Sequence, residues 1–281
     1  MAKRIISKIT ICGYGLIGGC IALDILKRYK SVEITAFDRK GTLDSLRRDK
    51  LHKVRAVSSF AKAVENADII ILAAPHKANE TNLEKLSKIK TLTDCLIIDT
   101  GAVKTPITKL AKNLKFAEGT QFLPTHPMAG REKAGFKNAS DKLFKNHAWY
   151  LSEDILLNDS NKKKIDWLIR AVQAMRVEVS SQLHDELVSE ISHLPQLIST
   201  ILGGQINPNL IQLAGPGLRS MLRLSGSPYS VWSEIISENK TEIIKTLLLY
   251  KNNLNKVIEK IKKDESLEDI FKDSSRSYRC L

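Results

Sequence analysis

Short apolar runs rich in β-branched residues alternate with amphipathic helical stretches through the first two-thirds of the chain. This alternation is typical of a parallel sheet wrapped by helices, in which a helix follows each strand. Helical patterns include Leu16–Tyr29, Phe60–Asn66 and Val103–Asn113. We therefore predict a Rossmann-type doubly wound α/β sheet at the N-terminus. Its predicted strands are Lys8–Cys12, Glu33–Phe37, Val54–Val57, Asp68–Ala73, Cys95–Asp99, Gln121–Pro124, Ala148–Leu151 and Arg176–Ser180.

The strand pattern ends near Ser180, and only helical patterns follow it. We therefore predict a Rossmann-type domain over residues 1–180 and an all-α domain over residues 181–281. Six apolar residues of the second domain, spaced alternately by four and three, form a stripe that must be covered, either within the domain or by a second subunit. The residues of this stripe are Ile243, Leu247, Tyr250, Leu254, Val257 and Ile261.

The 281-residue chain carries a formal net charge of +13, from 44 Lys and Arg against 31 Asp and Glu. A clustered excess of this kind would indicate nucleic-acid binding, but here basic residues occur in every predicted surface helix, with acidic residues between many of them. We interpret them as solvated helix faces and as a basic field that attracts an anionic substrate and cofactor. No nucleic-acid partner is predicted.

The sequence also bears on compartment and metal content. No stretch approaches the roughly 18 apolar residues that a membrane span requires, and the N-terminus leads into a strand without a cleavage site. The four cysteines are scattered and are interpreted as free thiols in a reducing compartment. The six histidines show no spacing typical of metal ligands. We expect a cytoplasmic protein with no membrane partner and no metal.

A glycine motif joins the first predicted strand to the first helix, where residues 13–18 read GYGLIG. In this setting Gly13 permits a tight turn, Gly15 lets the backbone approach a pyrophosphate, and Gly18 lets helix and strand pack closely. Asp38 ends the next strand, where its carboxylate would bind ribose hydroxyls and repel a 2′-phosphate. Arg39 beside it could instead pair with that phosphate, so NADP remains the less favoured alternative. The motif predicts NAD binding.

Three further segments follow predicted strands, at the edge where ligands bind in a doubly wound sheet. They are residues 74–75, residues 99–104 (DTGAVK) and residues 126–130 (HPMAG). His126 is the one histidine at such a strand end, and neutral imidazole is well suited to accept a proton near neutral pH. His126 is therefore the predicted catalytic residue. The predicted cofactor-binding residues are Gly13, Tyr14, Gly15, Leu16, Ile17, Gly18, Asp38, Arg39, Pro75 and Thr100.

Together these motifs resemble the prephenate and arogenate dehydrogenase family of tyrosine biosynthesis. The helical half adds His184-Asp185, followed by ISHLPQ at residues 191–196, and GLRSMLR at residues 217–223, followed by Ser227-Pro228 and Trp232. The resemblance implies an NAD(P)-binding Rossmann domain and a helical dimerisation domain, with the substrate in the cleft between them. It also implies a homodimer and an oxidative decarboxylation of prephenate or arogenate by NAD(P).

The resemblance assigns roles to several side chains. His126 is the base or hydrogen-bond acceptor for a ring hydroxyl, which loses its proton as a hydride leaves the same carbon. Arg223 would bind a substrate carboxylate through its planar guanidinium. His193 and Trp232 also belong to the predicted substrate-binding set, although His193 could be structural and Trp232 could be a core residue.

Two positions of that set depart from the family pattern. Ala102 stands where the family usually has a serine that hydrogen-bonds the catalytic histidine, and a methyl group cannot orient an imidazole. Gln196 stands where prephenate-specific members usually have a second histidine. A neutral amide suits the zwitterionic side chain of arogenate better than a cationic imidazole does, so we expect Gln196 to favour arogenate. The choice between prephenate and arogenate stays open.

Two other functions are compatible with a Rossmann domain followed by a helical domain. A β-hydroxyacid dehydrogenase would need a catalytic lysine on an early helix of the second domain, and residues 203–205 (GGQ) offer none. An NAD-binding regulatory or vestigial protein that has lost turnover is the second alternative, and Ala102 makes it possible. An assay of turnover distinguishes it from an enzyme.

Overall fold

The computed structural model describes residues 6–49, 51–131 and 133–280. Its largest sheet has six parallel strands, namely β1 (Lys8–Cys12), β2 (Glu33–Phe37), β3 (Arg55–Ala56), β4 (Ile69–Leu72), β5 (Leu96–Asp99) and β6 (Gln121–Leu123). The strand order is β3-β2-β1-β4-β5-β6, so the winding direction reverses between β1 and β4. This is the doubly wound topology, and it confirms the predicted fold class.

Helices cover both faces of this sheet. They are α1 (Leu16–Arg28), α2 (Lys40–Arg48), α3 (Phe60–Val64), α4 (His76–Ser87), α5 (Thr105–Lys112) and α6 (Asp159–Val172). Side chains alternate along β4, so Ile69 and Ile71 pack in one core with α1 and α6, whereas Ile70 and Leu72 pack in a second core with α4 and α5. A strand buried on both faces must be apolar throughout, which explains the uninterrupted apolar run of β4.

The last two predicted strands do not belong to this sheet. A separate three-stranded sheet contains β7 (Thr125–Pro127), β8 (Ala148–Ser152) and β9 (Met175–Val179). In it, β8 is antiparallel to β7 and parallel to β9. The chain leaves the large sheet after β6, and there the Thr125 N–H donates to Oδ1 of Asp99 at 3.0 Å. The prediction of one continuous sheet is therefore wrong beyond Pro124.

The remainder of the described chain is helical. Its α-helices are α7 (Ser181–Val188), α8 (Leu194–Gln205), α9 (Pro216–Leu222), α10 (Tyr229–Glu238), α11 (Lys240–Lys262) and α12 (Glu268–Tyr278). A π-helical turn, Ser189–His193, joins α7 to α8, and a 3-10 turn, Arg223–Gly226, follows α9. No helix within the described ranges combines the length and the apolar character needed to cross a membrane.

The predicted apolar stripe lies on α11. Ile243, near the start of the helix, is buried. Tyr250, Leu254 and Ile261 are 40%, 48% and 58% exposed, respectively. A single chain therefore buries the beginning of the stripe. Most of the C-terminal part of the stripe stays in contact with solvent.

Candidate active site

The glycine loop between β1 and α1 leaves open space at the start of a helix. Gly13 has a φ of +95°, which favours glycine, and a Cβ there would lie 2.4 Å from the backbone nitrogen of Ala74. A Cβ at Gly18 would lie 2.5 Å from the carbonyl oxygen of Gly13. At Gly15 a Cβ would meet no atom within 4 Å. The open space beside the first N–H groups of α1 fits the pyrophosphate of a dinucleotide.

Asp38 directly follows β2 and is fixed against the same loop. Its Oδ2 accepts from the Tyr14 N–H and its Oδ1 from the Arg39 N–H, both at 2.6 Å. A carboxylate has about four acceptor positions, so both oxygens can still accept from ribose hydroxyls. The Arg39 side chain is 95% exposed. The loop therefore presents a fixed carboxylate and a largely solvated guanidinium.

The other predicted cofactor-binding residues follow the carboxyl ends of the strands. The side chain of Tyr14 is buried, and its hydroxyl lies 2.9 Å from Nδ1 of His52. Tyr14 therefore offers only its backbone to a cofactor, while its ring anchors the loop to the core. The remaining residues, which follow β1, β4 and β5, are Leu16, Ile17, Pro75 and Thr100.

His126 lies within β7, where it is opposite Tyr150 of β8, and not in a loop after a strand as predicted. Its imidazole is half-buried. The Nδ1 atom lies 3.0 Å from Nε2 of His184. In turn, Nδ1 of His184 lies 2.8 Å from Oδ1 of Asp185. Two imidazoles and a carboxylate therefore form a continuous chain from β7 into α7.

Asp185 connects this chain to a buried ion pair at the start of α5. Its Oδ1 accepts from the Lys104 N–H and its Oδ2 from the Thr105 N–H, both at 2.8 Å. Lys104 is 2% exposed. Its ammonium contacts the Asp99 carboxylate and donates to the Thr125 carbonyl oxygen at 2.8 Å. These contacts fix the ends of β5, β7 and α7 relative to one another.

Burial determines the protonation of the three neighbouring histidines. It lowers the pKa of His126 well below its ordinary value, and His184, Lys104 and His193 lower it further. Burial also lowers the pKa of His184, although the hydrogen bond to Asp185 opposes this effect. Again through burial, the pKa of His193 falls to about 4. The imidazoles are therefore neutral near pH 7, so His126 is able to accept a proton.

His193 ends the π-helical turn and contacts Asn239 and Trp232. Its Nδ1 lies 3.2 Å from Nδ2 of Asn239, which also donates to the carbonyl oxygen of Asp185 at 2.8 Å. The indole of Trp232 packs edge-on against the His193 ring, with 5.8 Å between the ring centroids. His193 and Trp232 are thereby connected to the segment that carries His184 and Asp185.

Gln196 lies on α8 and is buried. Its Nε2 donates to the Leu224 carbonyl oxygen at 2.9 Å and to the Thr200 hydroxyl at 3.2 Å. Arg223 is exposed and begins the 3-10 turn that contains Leu224. The structure therefore brings Gln196 and the Arg223 turn together.

The structure does not connect all of the predicted substrate-binding residues by hydrogen bonds. Ala102 lies half-buried in the loop between β5 and α5. Within the described ranges, no hydrogen bond links His126 to Gln196. The sequence analysis gave no chemical role to His184 and Asp185. The feature that could have indicated one is an adjacent His-Asp pair near the start of a helix that follows a strand.

Two family models match the chain over consecutive ranges. The model described as "Prephenate dehydrogenase, nucleotide-binding domain" matches residues 21–181, which is more than half of the chain. The chain belongs to the prephenate dehydrogenase family. The model described as "Prephenate dehydrogenase, dimerization domain" matches residues 180–273. Membership of this family favours its chemistry over that of a β-hydroxyacid dehydrogenase.

Individual relatives agree with this assignment. Prephenate dehydrogenase of Lactococcus lactis is 27% identical over 282 residues, which cover 98% of this chain and 77% of that protein. A structure of Aquifex aeolicus prephenate dehydrogenase with hydroxyphenyl propionate and NAD+ has a TM-score of 0.87 at 23% identity and covers 99% of both chains. Synechocystis arogenate dehydrogenase has a TM-score of 0.75 at 22% identity and covers 97% of this chain and 99% of its own. The two structural likenesses confirm the fold.

Acid should destabilise the protein through His193. Its pKa is about 4 in the folded chain and about 6.5 in an unfolded chain. As the pH falls through this window the unfolded state binds the extra proton, so stability present above about pH 6.5 is lost toward pH 4. For this group alone we expect the free energy of unfolding to be about 2 kcal/mol lower at pH 5 than at pH 7. Urea unfolding of the wild type and of His193→Gln measures the effect, and equal losses in both proteins would contradict it.

Proposed function

We propose that the protein is an NAD-dependent dehydrogenase that oxidatively decarboxylates prephenate or arogenate, giving 4-hydroxyphenylpyruvate or tyrosine in tyrosine biosynthesis. The observation that carries this proposal is the environment of His126. It is a half-buried, neutral imidazole beyond the carboxyl edge of a nucleotide-binding sheet, and His184 of the helical half holds one of its nitrogens. Family membership supplies the reaction that this geometry supports.

The proposed organisation is a cytoplasmic homodimer of two-domain chains. The NAD(P)-binding domain covers residues 1–180, and the substrate and dimerisation domain covers residues 181–281. In support of this boundary, β9 ends at Val179 and α7 begins at Ser181. The exposed apolar stripe of α11 supports dimerisation, because a second chain would cover the residues that this chain leaves in solvent.

In the proposed mechanism His126 removes a proton while a hydride leaves the substrate. When bound, NAD supplies the hydride acceptor. The first N–H groups of α1 would hold its pyrophosphate, and Asp38 would hold the ribose hydroxyls. Nε2 of His126 accepts the proton of the ring hydroxyl as the carbon bearing that hydroxyl loses the hydride. Loss of carbon dioxide then leaves an aromatic ring, which makes the reaction effectively irreversible.

The remaining predicted residues surround the substrate in this proposal. Arg223 binds a carboxylate, because its planar guanidinium can donate two parallel hydrogen bonds to the two oxygens. Trp232 forms part of the wall on the helical side. Because His193 is 1% exposed, we assign it support of that wall and not a direct substrate contact. Ala102 contributes only a methyl group.

The proposal is tested by assaying purified protein with prephenate or arogenate, each with NAD or NADP, and following the absorbance of the reduced cofactor. We expect turnover with at least one substrate and higher kcat/KM with NAD, because Asp38 is fixed at the ribose position and Arg39 is solvated. A preference for NADP would show that Arg39 dominates. Binding of NAD without turnover of either substrate would support the regulatory or vestigial alternative.

Gln196 is proposed to favour arogenate through its carbonyl oxygen. Both amide hydrogens are engaged by Leu224 and Thr200, so the amide nitrogen does not also donate to the substrate carboxylate. Oε1 can still accept from the ammonium group that arogenate carries and prephenate lacks. We expect Gln196→His to shift the ratio of kcat/KM values toward prephenate by about tenfold, or 1–2 kcal/mol.

The control for this prediction is Gln205→His, at the exposed end of the same helix. Both variants are assayed with the two substrates at saturating NAD. The control should leave the substrate ratio unchanged. If the wild type already prefers prephenate strongly, or if Gln196→His leaves the ratio of kcat/KM values unchanged, other residues determine the choice of substrate.

A further inference from the structure

We propose that His184 and Asp185 are positioning residues for His126, and that together they fix the tautomer in which Nε2 of His126 is the proton acceptor. This inference rests on the proposed function, because it concerns the base of that reaction. The tautomer is nevertheless a property of the protein without substrate, so it can be measured whether or not turnover occurs.

The direction of the hydrogen bonds follows from Asp185. An ionised carboxylate can only accept, so Nδ1 of His184, 2.8 Å from Oδ1, must carry the hydrogen. Neutral His184 then has a lone pair on Nε2. Nδ1 of His126, 3.0 Å from that atom, must donate to it. Neutral His126 therefore has its one N–H on Nδ1 and a lone pair on Nε2.

Asp185 is well suited to impose this direction because it is ionised and held in place. Its oxygens accept from the backbone N–H groups of Lys104 and Thr105 at the start of α5, and its carbonyl accepts from Asn239. Burial alone would raise the pKa of the carboxyl. The hydrogen bonds from His184, Thr105 and Lys104 outweigh burial, so the pKa is lowered from its ordinary value.

His184 is the one side chain that hydrogen-bonds to His126 among the residues the structure describes. Residue 102 is an alanine, whose methyl group cannot take over that role. The ring of Tyr150 packs edge-on against His184, with 5.2 Å between the centroids, and limits its rotation. The orientation of the base therefore depends on His184.

The same hydrogen bonds remain in place after the base has reacted. When the substrate O–H bond breaks and an N–H bond forms on Nε2, His126 becomes an imidazolium whose Nδ1–H still donates to neutral His184. Asp185 on the far side of His184 favours this positive charge. Burial opposes the positive charge, as do His184, Lys104 and His193, although the Lys104 ammonium is paired with the Asp99 carboxylate.

Two substitutions of His184 separate hydrogen-bonding from packing. In His184→Gln, the side-chain oxygen can accept from His126 and the amide can donate to Asp185, so the direction is preserved. In His184→Phe the ring volume remains but both hydrogen bonds are lost. The matched control is His147→Gln, which changes an exposed histidine. Each protein is checked for thermal stability and NAD affinity.

The tautomer is read from side-chain ¹⁵N chemical shifts of labelled protein above pH 7, with the His126 signals assigned by their loss in His126→Asn. We expect a protonated Nδ1 and an unprotonated Nε2 in the wild type, in His184→Gln and in the control. His184→Phe should lose this preference. Its kcat should fall about 10²–10³-fold, whereas His184→Gln should retain at least about a tenth of wild-type kcat.

Wild-type His126 with its proton on Nε2 would overturn the inference, and this result does not depend on the folding of any variant. So would a His184→Phe enzyme with wild-type kcat. If the wild type oxidises neither substrate, the proposed function fails, while the tautomer measurement still decides whether His184 and Asp185 orient His126.

Discussion

Replacing His126 by Asn should lower kcat by about 10²–10⁴-fold, the usual contribution of a positioned acid or base. Asn can occupy the site and still hydrogen-bond to His184, but its amide oxygen does not take up a proton near neutral pH. The dissociation constant for NAD should be unchanged, because the glycine loop and Asp38 follow β1 and β2 and His126 lies on β7. Steady-state kinetics together with a fluorescence titration of NAD measure both quantities.

The control for this prediction is His147→Asn, since His147 is exposed and forms no part of the proposed site. It should keep wild-type kcat and wild-type NAD affinity. A His126→Asn enzyme with normal turnover would remove His126 from the mechanism. A His126→Asn protein that has lost NAD affinity would instead indicate a structural role for this residue.

Alanine at Gly15 and alanine at Gly13 should damage the protein in different ways. At Gly15 the added Cβ meets nothing in the protein, so stability should hold while NAD affinity falls about 10–100-fold, because the methyl group occupies the path of the pyrophosphate. At Gly13 the Cβ would lie 2.4–2.6 Å from backbone atoms of Ala73 and Ala74, at a φ of +95°. Gly13→Ala should lower the free energy of unfolding by about 2–4 kcal/mol.

Urea unfolding without cofactor and calorimetric titration with NAD separate the two effects. Gly204→Ala is the control, because its Cβ also meets no atom within 4 Å but lies on α8 of the helical half. It should change neither quantity appreciably. Normal NAD affinity in Gly15→Ala would mean that the pyrophosphate does not cross this loop.

The parts of the fold that depend on local sequence could be predicted. The β1 to α1 connection needs glycine at position 13 for its positive φ and at position 18 because the Gly13 carbonyl oxygen approaches closely. Both of these reasons lie within a few residues, so GYGLIG identifies both the turn and the ligand class. The fully buried strand β4 has a continuous apolar run for an equally local reason, since both of its faces are covered. Such features leave their pattern in consecutive residues.

The second sheet could not be predicted in this way. An apolar strand has the same pattern whichever partner it pairs with. Where the chain leaves β6, the contact that holds it joins Asp99 to Thr125, 26 positions apart. The same limitation applies to His126 and His184, which are 58 positions apart in the chain. Sequence reasoning proposed His126 as the base from its position and gave no role to His184, which we propose orients it.

The stoichiometry of the reaction tests the central claim most directly. A limiting amount of prephenate or arogenate is converted with excess NAD, and NADH, carbon dioxide and the aromatic product are each quantified. Oxidative decarboxylation predicts equal molar amounts of all three for the substrate that is used. NADH without carbon dioxide, or no NADH from either substrate, would contradict the account.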